Sequence, residues 1–289
     1  MQRLTPWPQM GSNDVWVLGT GDSLNCYKED IKQLKDNYTT LAFHRAFPHC
    51  VEHFGLYPTY WTWYDPDASI LGLTHLTNLS VLPPNMKIII PETHRGSPVK
   101  LAKHIKKNGY GRDKAKMYAN CLRMLAGLES RGMDVECFPS KSALFVEHTV
   151  ERKKVKSIGF EERFCINDHK NPVIFGTDNW DEKESKLTYY ILPLIQFMGF
   201  KRAFIGGFAG VGGRFFDAKW IVTPSEDSVN LEHVKSWQEW LPKLDLDAYT
   251  YDMNKQAFKS LVDANRYVDA KEALSISRPR PHITIETKE

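Results

Sequence analysis

A hydrophobic run long enough to cross a membrane is missing from this sequence, since no stretch of about 18 apolar residues occurs in it. Residues 1–6 contain no apolar core like that of a secretory signal peptide. Cysteine is scarce, and the five cysteines are scattered and form no Cys-x-x-Cys pair. This argues against a disulfide framework and against a cysteine zinc site. Together, these absences predict a cytoplasmic protein whose thiols are free.

A complete nucleotide-binding motif is also absent. No Gly-Lys-Ser/Thr of a P-loop occurs, and Leu24 stands where the third glycine of Gly-x-Gly-x-x-Gly would follow Gly19 and Gly21. Glycines after a buried strand nevertheless let the backbone approach a ligand closely. The segment 19–23 is therefore either a cradle for a nucleotide or phosphate, which would use Gly19, Thr20, Gly21 and Ser23, or an ordinary turn between a strand and a helix.

Apolar, strand-like segments do occur, and they alternate with helical ones along the 289 residues. The predicted strands lie at 14–18, 39–43, 60–64, 87–90, 143–146, 202–205 and 248–251. Helical spacing marks 27–34, 99–107, 114–128, 187–198, 233–241 and 255–262. Such alternation predicts one α/β domain over 1–289 with a doubly wound, mainly parallel sheet.

The net charge is only +3, but it is unevenly distributed. Residues 95–163 hold 16 Lys and Arg against 8 Asp and Glu, which leaves 22 basic and 27 acidic residues elsewhere. We therefore predict a helical, basic insertion over 92–185, either as a surface for a polyanion such as DNA or as a solvated helix face. The predicted DNA contacts are Lys103, Lys106 and Lys107, which share one helical face and are called the lysine face below, together with Arg112 and Lys114.

Four segments, in this order, resemble the bacterial sialyltransferases of glycosyltransferase family 42 and their relatives. Those relatives are the flagellin-modifying motility accessory factors and the hydroxymethylpterin pyrophosphokinase-like proteins. The segments are 17–24 (VLGTGDSL), 41–45 (LAFHR), 63–66 (WYDP) and 190–207, with its MGFK turn and IGG strand end. The resemblance covers 14–67 and 187–262 but not 68–184, and the asparagines of the family pattern are replaced by His44 and Asp65.

The resemblance implies a Rossmann-like variant of the GT-A-like sialyltransferase fold and a transfer of sugar, with inversion, from a CMP-sugar to an acceptor hydroxyl. It implies a general base at His233. The glycine-rich stretch that begins at Gly206 predicts a lid over 207–232, because the loop is too long for a simple connector. Arg214 stands where the family's lid has a tyrosine, and its charge suits it to neutralise the leaving phosphate. The other implied nucleotide-sugar contacts are Gly19, Thr20, Gly21, Ser23, His44, Arg45, Asp65, Gly207 and Asn254. We expect the acceptor to be hydroxymethylated, phage-type DNA. The alternatives are a cell-surface glycan, a pterin phosphotransfer and a non-catalytic nucleotide or nucleic-acid binding module.

Two groups of residues have metal-ligating chemistry. Asp65 and Asp67 form an Asp-x-Asp pair of the kind that holds a divalent ion in other glycosyltransferases, but the family that the chain resembles works without metal. A zinc site is conceivable for the second group, although Pro48 interrupts the run and no second cysteine pair follows. That group is His44, His49, Cys50 and His53. We therefore expect no metal and no cofactor besides the nucleotide-sugar co-substrate.

Overall fold

A computed structural model describes residues 2–3, 13–63, 69–91, 112–138, 191–208, 246–251 and 268–279. The strands are, in chain order, β1 (Gln2–Arg3), β2 (Asp14–Leu18), β3 (Thr40–Phe43), β4 (Tyr60–Thr62), β5 (Lys87–Pro91), β6 (Asp134–Phe138), β7 (Arg202–Gly206) and β8 (Asp247–Thr250). The helices are α1 (Lys28–Lys32), α2 (Ala46–Phe54), α3 (Ile70–Asn78), α4 (Arg112–Ser130), α5 (Leu192–Phe197) and α6 (Ala270–Ile276). A 3₁₀ turn over Asp22–Tyr27 leads into α1.

The described strands form one eight-stranded sheet in the order β1-β6-β5-β4-β3-β2-β7-β8, and every neighbouring pair is parallel. This confirms the predicted doubly wound, Rossmann-like α/β fold. Parallel strands of such a sheet are covered on both faces, so their sequences are apolar almost throughout. The central strands follow this rule, since β2, β3 and β4 are buried at every position.

The order of the strands reverses beside β2. From β2 to β6 each new strand adds on one side of the sheet, whereas β7 pairs with the other side of β2 and β8 follows it outward. Connections on the two sides therefore diverge at the carboxyl ends of β2 and β7. In open α/β sheets this is the point where a crevice forms and ligands bind.

The basic stretch contributes to the sheet itself. Residues 112–138, which the prediction placed in the insertion, form α4 and β6, and β6 pairs with β5 from Lys87↔Asp134 to Pro91↔Phe138. The strand β6 was not predicted, whereas the helix expected at 114–128 is confirmed by α4. The other predicted parts of the insertion lie outside the described residues.

A charged cluster fastens the amino ends of β2 and β7 to the segment after α6. Asp14 is buried and accepts hydrogen bonds from Arg202 Nε at 3.1 Å and from the backbone N–H of Arg278 at 2.7 Å. Arg202 also donates to the carbonyl oxygen of Ile276 at 2.9 Å. The carboxylate of Asp14 raises the pKa of the Arg202 guanidinium. This cluster lies at the edge of the sheet opposite the crevice.

Within the described ranges, no helix combines the length and the apolar character that a bilayer crossing demands.

Candidate functional site

Two glycine turns lie at the carboxyl ends of β2 and β7, where doubly wound sheets form their ligand-binding crevice. The first turn follows β2 at Gly19 to Gly21, and the second follows β7 at Gly206 and Gly207. The N–H of Gly19 donates to the carbonyl oxygen of Gly206, and the N–H of Gly21 to that of Gly207, both at 2.8 Å. The two turns thus continue the pairing of β2 and β7 beyond the strands themselves.

Side chains would not fit between these turns. A methyl group on Gly19 would lie 2.3 Å from the carbonyl oxygen of Gly207, and one on Gly21 would lie 2.9 Å from the same atom. Gly207 has a φ of +78°, and its methyl group would lie 2.9 Å from the carbonyl carbon of Gly19. The predicted close approach at Gly19 and Gly21 is therefore an approach of one turn to the other, and the N–H groups of both glycines are engaged there.

Two of the predicted nucleotide contacts on the first turn differ in accessibility. Thr20 is partly exposed between the two glycines, whereas Ser23 is buried in the 3₁₀ turn. The backbone bonds of Gly19 and Gly21 fix the position of Thr20 from both sides. On this turn, the hydroxyl of Thr20 is thus better placed than that of Ser23 to meet a ligand in the crevice.

His44 follows β3 and has a left-handed backbone, with a φ of +53°. Its N–H donates to the carbonyl oxygen of Thr62 at 2.9 Å, and its carbonyl oxygen accepts from Trp61 Nε1 at 2.8 Å. A positive φ is uncommon for a residue other than glycine and is held only where surrounding contacts impose it. The two bonds to Trp61 and Thr62 of β4 supply those contacts, and they fix His44 at the carboxyl edge of the sheet.

An aromatic wall extends from His44 towards the second glycine turn. The His44 ring stacks on Phe43, with ring centres 3.7 Å apart, and Phe43 stacks on Phe208 at 6.1 Å. The Phe208 ring also covers Gly19, where an added methyl group would lie 2.7 Å from it. His44 and Phe208 are partly exposed. Flat, partly exposed rings of this kind can receive a nucleobase by stacking.

The side of the second turn towards β8 is closed by Tyr251. A methyl group on Gly206 would lie 2.2 Å from the Tyr251 ring, so the ring lies directly on this glycine. Tyr251 is fully buried and meets Tyr27 edge-on at 5.6 Å and Trp16 at 5.3 Å. The glycine turns are therefore packed against Phe208 on one side and against Tyr251 on the other.

The structure thus brings together five of the predicted site positions and adds two that the prediction missed. Gly19, Thr20, Gly21, His44 and Gly207 lie at adjacent strand ends. Phe208 and Tyr251 were missed because an aromatic residue next to a strand is usually a core residue. Arg45 directly precedes α2 and is partly buried, and its role as a phosphate partner stays a prediction.

The remaining predicted residues are not brought into this site by the described part of the chain. The roles of Asp65, Asp67, Arg214, His233 and Asn254 fall outside the described residues, as do the lysine face and all but Gly207 and Phe208 of the expected lid. Arg112 and Lys114 lie on the first turn of α4, and their side chains are outside the description.

The group that was weighed as a zinc site is divided by the fold. His44 belongs to the strand end, and Cys50 is buried on the inner face of α2, where burial raises the pKa of its thiol. His49 and His53 remain together on the outer face of α2, beside Glu52.

Comparison of the chain with models of protein families gives no match, and comparison with curated proteins gives none either.

Proposed function

We propose that this protein is a glycosyltransferase that moves a sugar from a nucleotide-activated donor, a CMP-sugar by its resemblance, to an acceptor hydroxyl with inversion. The observation that carries the proposal is the position of the Gly19–Gly21 turn at the reversal of strand order beside β2. Doubly wound sheets bind nucleotides at this point. The resemblance to the sialyltransferases adds the sugar chemistry.

The described residues supply the donor-binding half of this proposal. Thr20 is partly exposed on the glycine turn, the wall of Phe43, His44 and Phe208 offers a stacking surface, and Arg45 offers a positive charge next to His44 in the chain. A nucleotide has a flat base and an anionic phosphate, so it needs both kinds of contact.

The catalytic step of the proposal relies on His233 and Arg214, which lie outside the described part of the chain. In the proposed step, the acceptor oxygen forms a bond to the anomeric carbon while the bond from that carbon to the phosphate oxygen breaks. His233 takes the proton of the acceptor hydroxyl. The electron pair leaves with the nucleotide phosphate, whose charge Arg214 neutralises. No metal ion takes part in this scheme.

The acceptor in the proposal is a hydroxymethylated base in DNA, because residues 95–163 carry 16 basic and 8 acidic residues. A base inside a duplex must be flipped out to reach His233. Within the described part of the stretch, Lys116 and Arg123 are exposed on α4, whereas Arg131 caps α3 by donating to the carbonyl oxygens of Thr77 and Leu79. An anionic cell-surface glycan is the competing acceptor.

Isothermal titration of the full chain with CMP, UMP and ATP tests the donor. We expect one saturable site that prefers the cytidine nucleotide. Binding of ATP with phosphate transfer to a pterin would support the phosphotransferase alternative instead. Absence of binding by all three nucleotides would refute the donor proposal and leave a non-catalytic module.

His233→Ala tests the catalytic half. We expect the variant to lose sugar transfer while its nucleotide affinity stays within about two-fold of the parent, because the base acts on the acceptor and not on the donor. His75→Gln, on α3, is the matched control and should keep full activity. Full activity of His233→Ala would remove this residue from the mechanism.

A further inference from the structure

Three side chains with metal-ligating atoms converge on the outer face of α2. They are His49, Glu52 and His53, and one ligand atom from each lies within 4.8 Å of the other two. Nδ1 of His49 is 3.2 Å from Oε2 of Glu52, and Nε2 of His53 is 4.0 Å from the same oxygen. Their spacing of i, i+3 and i+4 places all three on one face of the helix.

These separations are close to those of a bound metal ion. Two ligand atoms that are each about 2.1 Å from a tetrahedral zinc ion lie about 3.4 Å apart. The measured 3.2 and 4.0 Å lie on either side of that value. The two histidine nitrogens lie within 4.8 Å of each other, so the side chains must rotate to bring the three atoms around one ion. Two histidines at i and i+4 are a spacing that holds zinc on helices elsewhere.

Pro48, which seemed to interrupt this group in the sequence, does not break the helix. It is the third residue of α2, which begins at Ala46. A residue in the first helical turn has no intrahelical acceptor for its N–H, so proline is tolerated there. The helix continues without a break through His53, so the part of the sequence argument that rests on Pro48 does not hold.

The surroundings of the three side chains leave space for further ligands. His49 and Glu52 line a groove of about 460 Å³ between α2 and α3, which Leu71, Thr74 and His75 border from the other side. The side chains of His49 and His53 are 19% and 33% exposed, so both rings are partly held by packing and partly open to solvent. Such a site leaves coordination positions for water or a small anion.

Some groups near His49 favour a positive charge at this residue, and others disfavour it. Burial is the main cause that lowers the pKa of His49. Glu52 attracts a cation, whereas Arg45 and His53 disfavour positive charge at His49. A ligand set of two imidazole nitrogens and one carboxylate oxygen suits zinc or a neighbouring divalent transition metal better than calcium or magnesium.

We propose that His49, Glu52 and His53 form a binding site for one divalent transition-metal ion, of which zinc is the representative. The site lies on the outer face of α2, apart from the crevice, and the proposal does not depend on the proposed glycosyl transfer. The simpler reading of the same atoms is an ion pair between His49 and Glu52 one turn apart on a helix.

Titration of the chelator-treated full chain with zinc sulfate and with nickel chloride distinguishes a metal site from a simple ion pair. We expect a site of one ion per chain with a dissociation constant on the order of micromolar. Losing even an outer partner of a metal ligand weakens binding by about 10- to 100-fold. His49→Asn and His53→Asn should therefore each weaken it at least about ten-fold. Glu52→Gln should weaken it less, because an amide oxygen remains.

His75→Gln is the control, since His75 lines the same groove but lies outside the cluster. It should leave the zinc affinity unchanged. Zinc at 100 times its dissociation constant should also raise the folded-to-unfolded ratio about 100-fold, or about 2.7 kcal/mol. This corresponds to a rise in melting temperature of about 5 °C, and in His49→Asn at the same zinc concentration a ten-fold weaker affinity cuts the rise to about half or less.

Circular dichroism of the metal-free variants checks that each keeps its helical content, so a lost site is not confused with a lost fold. The proposal is overturned if zinc and nickel bind no tighter than about 100 µM, or if binding in His49→Asn and His53→Asn equals that of the parent.

Discussion

Gly207→Ala tests the contact between the two glycine turns that forms the base of the crevice. Two separate effects oppose the added methyl group. The φ of +78° places an alanine in the left-handed region, and the new Cβ would lie 2.9 Å and 3.1 Å from the carbonyl carbon and oxygen of Gly19. Both obstructing atoms belong to the backbone at the end of the buried strand β2, so they have no flexible side chain that can turn away.

The magnitude follows from the two effects. A left-handed backbone costs a residue other than glycine about 1–2 kcal/mol. Forcing a methyl group into a filled space costs about 1–3 kcal/mol. Alanine regains about 0.4–1 kcal/mol because it restricts the unfolded chain. We expect Gly207→Ala to lower the free energy of unfolding by about 3 kcal/mol.

Three other glycines separate the two effects. Gly132 has a φ of +91° with no atom within 4 Å of an added methyl group, so Gly132→Ala reports the backbone effect alone. Gly19→Ala reports mainly the steric effect, at 2.3 Å from the carbonyl oxygen of Gly207. Gly127 is exposed within α4 and has open space, so Gly127→Ala should stabilise the protein by about 0.5–1 kcal/mol.

Urea unfolding followed by circular dichroism measures all four variants. Gly207→Ala should be less stable than Gly132→Ala by about 2 kcal/mol, which is the steric share of the effect. Equal losses in Gly207→Ala and Gly132→Ala would show that the two turns do not touch. The description of the crevice would then be wrong, independently of any ligand.

Other predictions concern the charged groups. Asp14→Asn should lower the free energy of unfolding by about 2 kcal/mol, because it leaves the partly buried Arg202 without its carboxylate partner. Glu29→Gln is the control, because Glu29 belongs to an exposed ion pair. Equal stability of the two variants would contradict the role assigned to Asp14. Burial alone would lower the pKa of Lys87, but Asp134 and Glu136 outweigh it and raise this pKa above 10.5. The ion pair thus stabilises the fold below pH 10.5, and this contribution is lost as the pH rises through the raised pKa of Lys87. Lys87→Met should therefore lose less stability against urea between pH 10 and 12 than the parent protein does. An equal loss in both would exclude this role of the ion pair. Replacing the lysine face by glutamates should weaken DNA binding, and weaken its dependence on salt, without changing nucleotide affinity. Absence of any mobility shift with duplex or single-stranded DNA at low salt would exclude the DNA acceptor and favour the glycan.

The strands that could be predicted from the sequence are the ones with continuous apolar runs. The segments at Val15–Leu18 and Ile88–Ile90 are buried on both faces of the sheet, so their composition alone identifies them. The strand β6 escaped prediction because Asp134 and Glu136 interrupt the apolar run, and they pair with Lys87, which lies on the neighbouring strand.

The helices α2 and α3 escaped prediction for reasons that only packing reveals. Pro48 reads as a break until it is known to lie in a first helical turn. Gly72 weakens the helical pattern of α3, yet a side chain there would lie 2.4 Å from the ring of Trp61. Pro48 is unfavourable by local propensity but is tolerated in the first turn of α2, whereas Gly72 is required because Trp61 leaves no room for a side chain.

The candidate site was predictable only in part. Gly19 and Gly21 mark the turn after β2 in the sequence, but their partner Gly207 is almost 190 residues away. No local pattern shows that the two turns touch, or that Phe208 covers one of them. The left-handed backbone of His44 is likewise imposed by bonds from Trp61 and to Thr62, and not by its own sequence.

A crystal structure of the full chain with CMP tests the central proposal most directly. We predict that the nucleotide lies at the carboxyl ends of β2 and β7, with its phosphate near Thr20 and its base against the wall of Phe43, His44 and Phe208. A nucleotide bound at another edge of the sheet, or a crevice that stays without nucleotide at saturating CMP, would contradict the proposal.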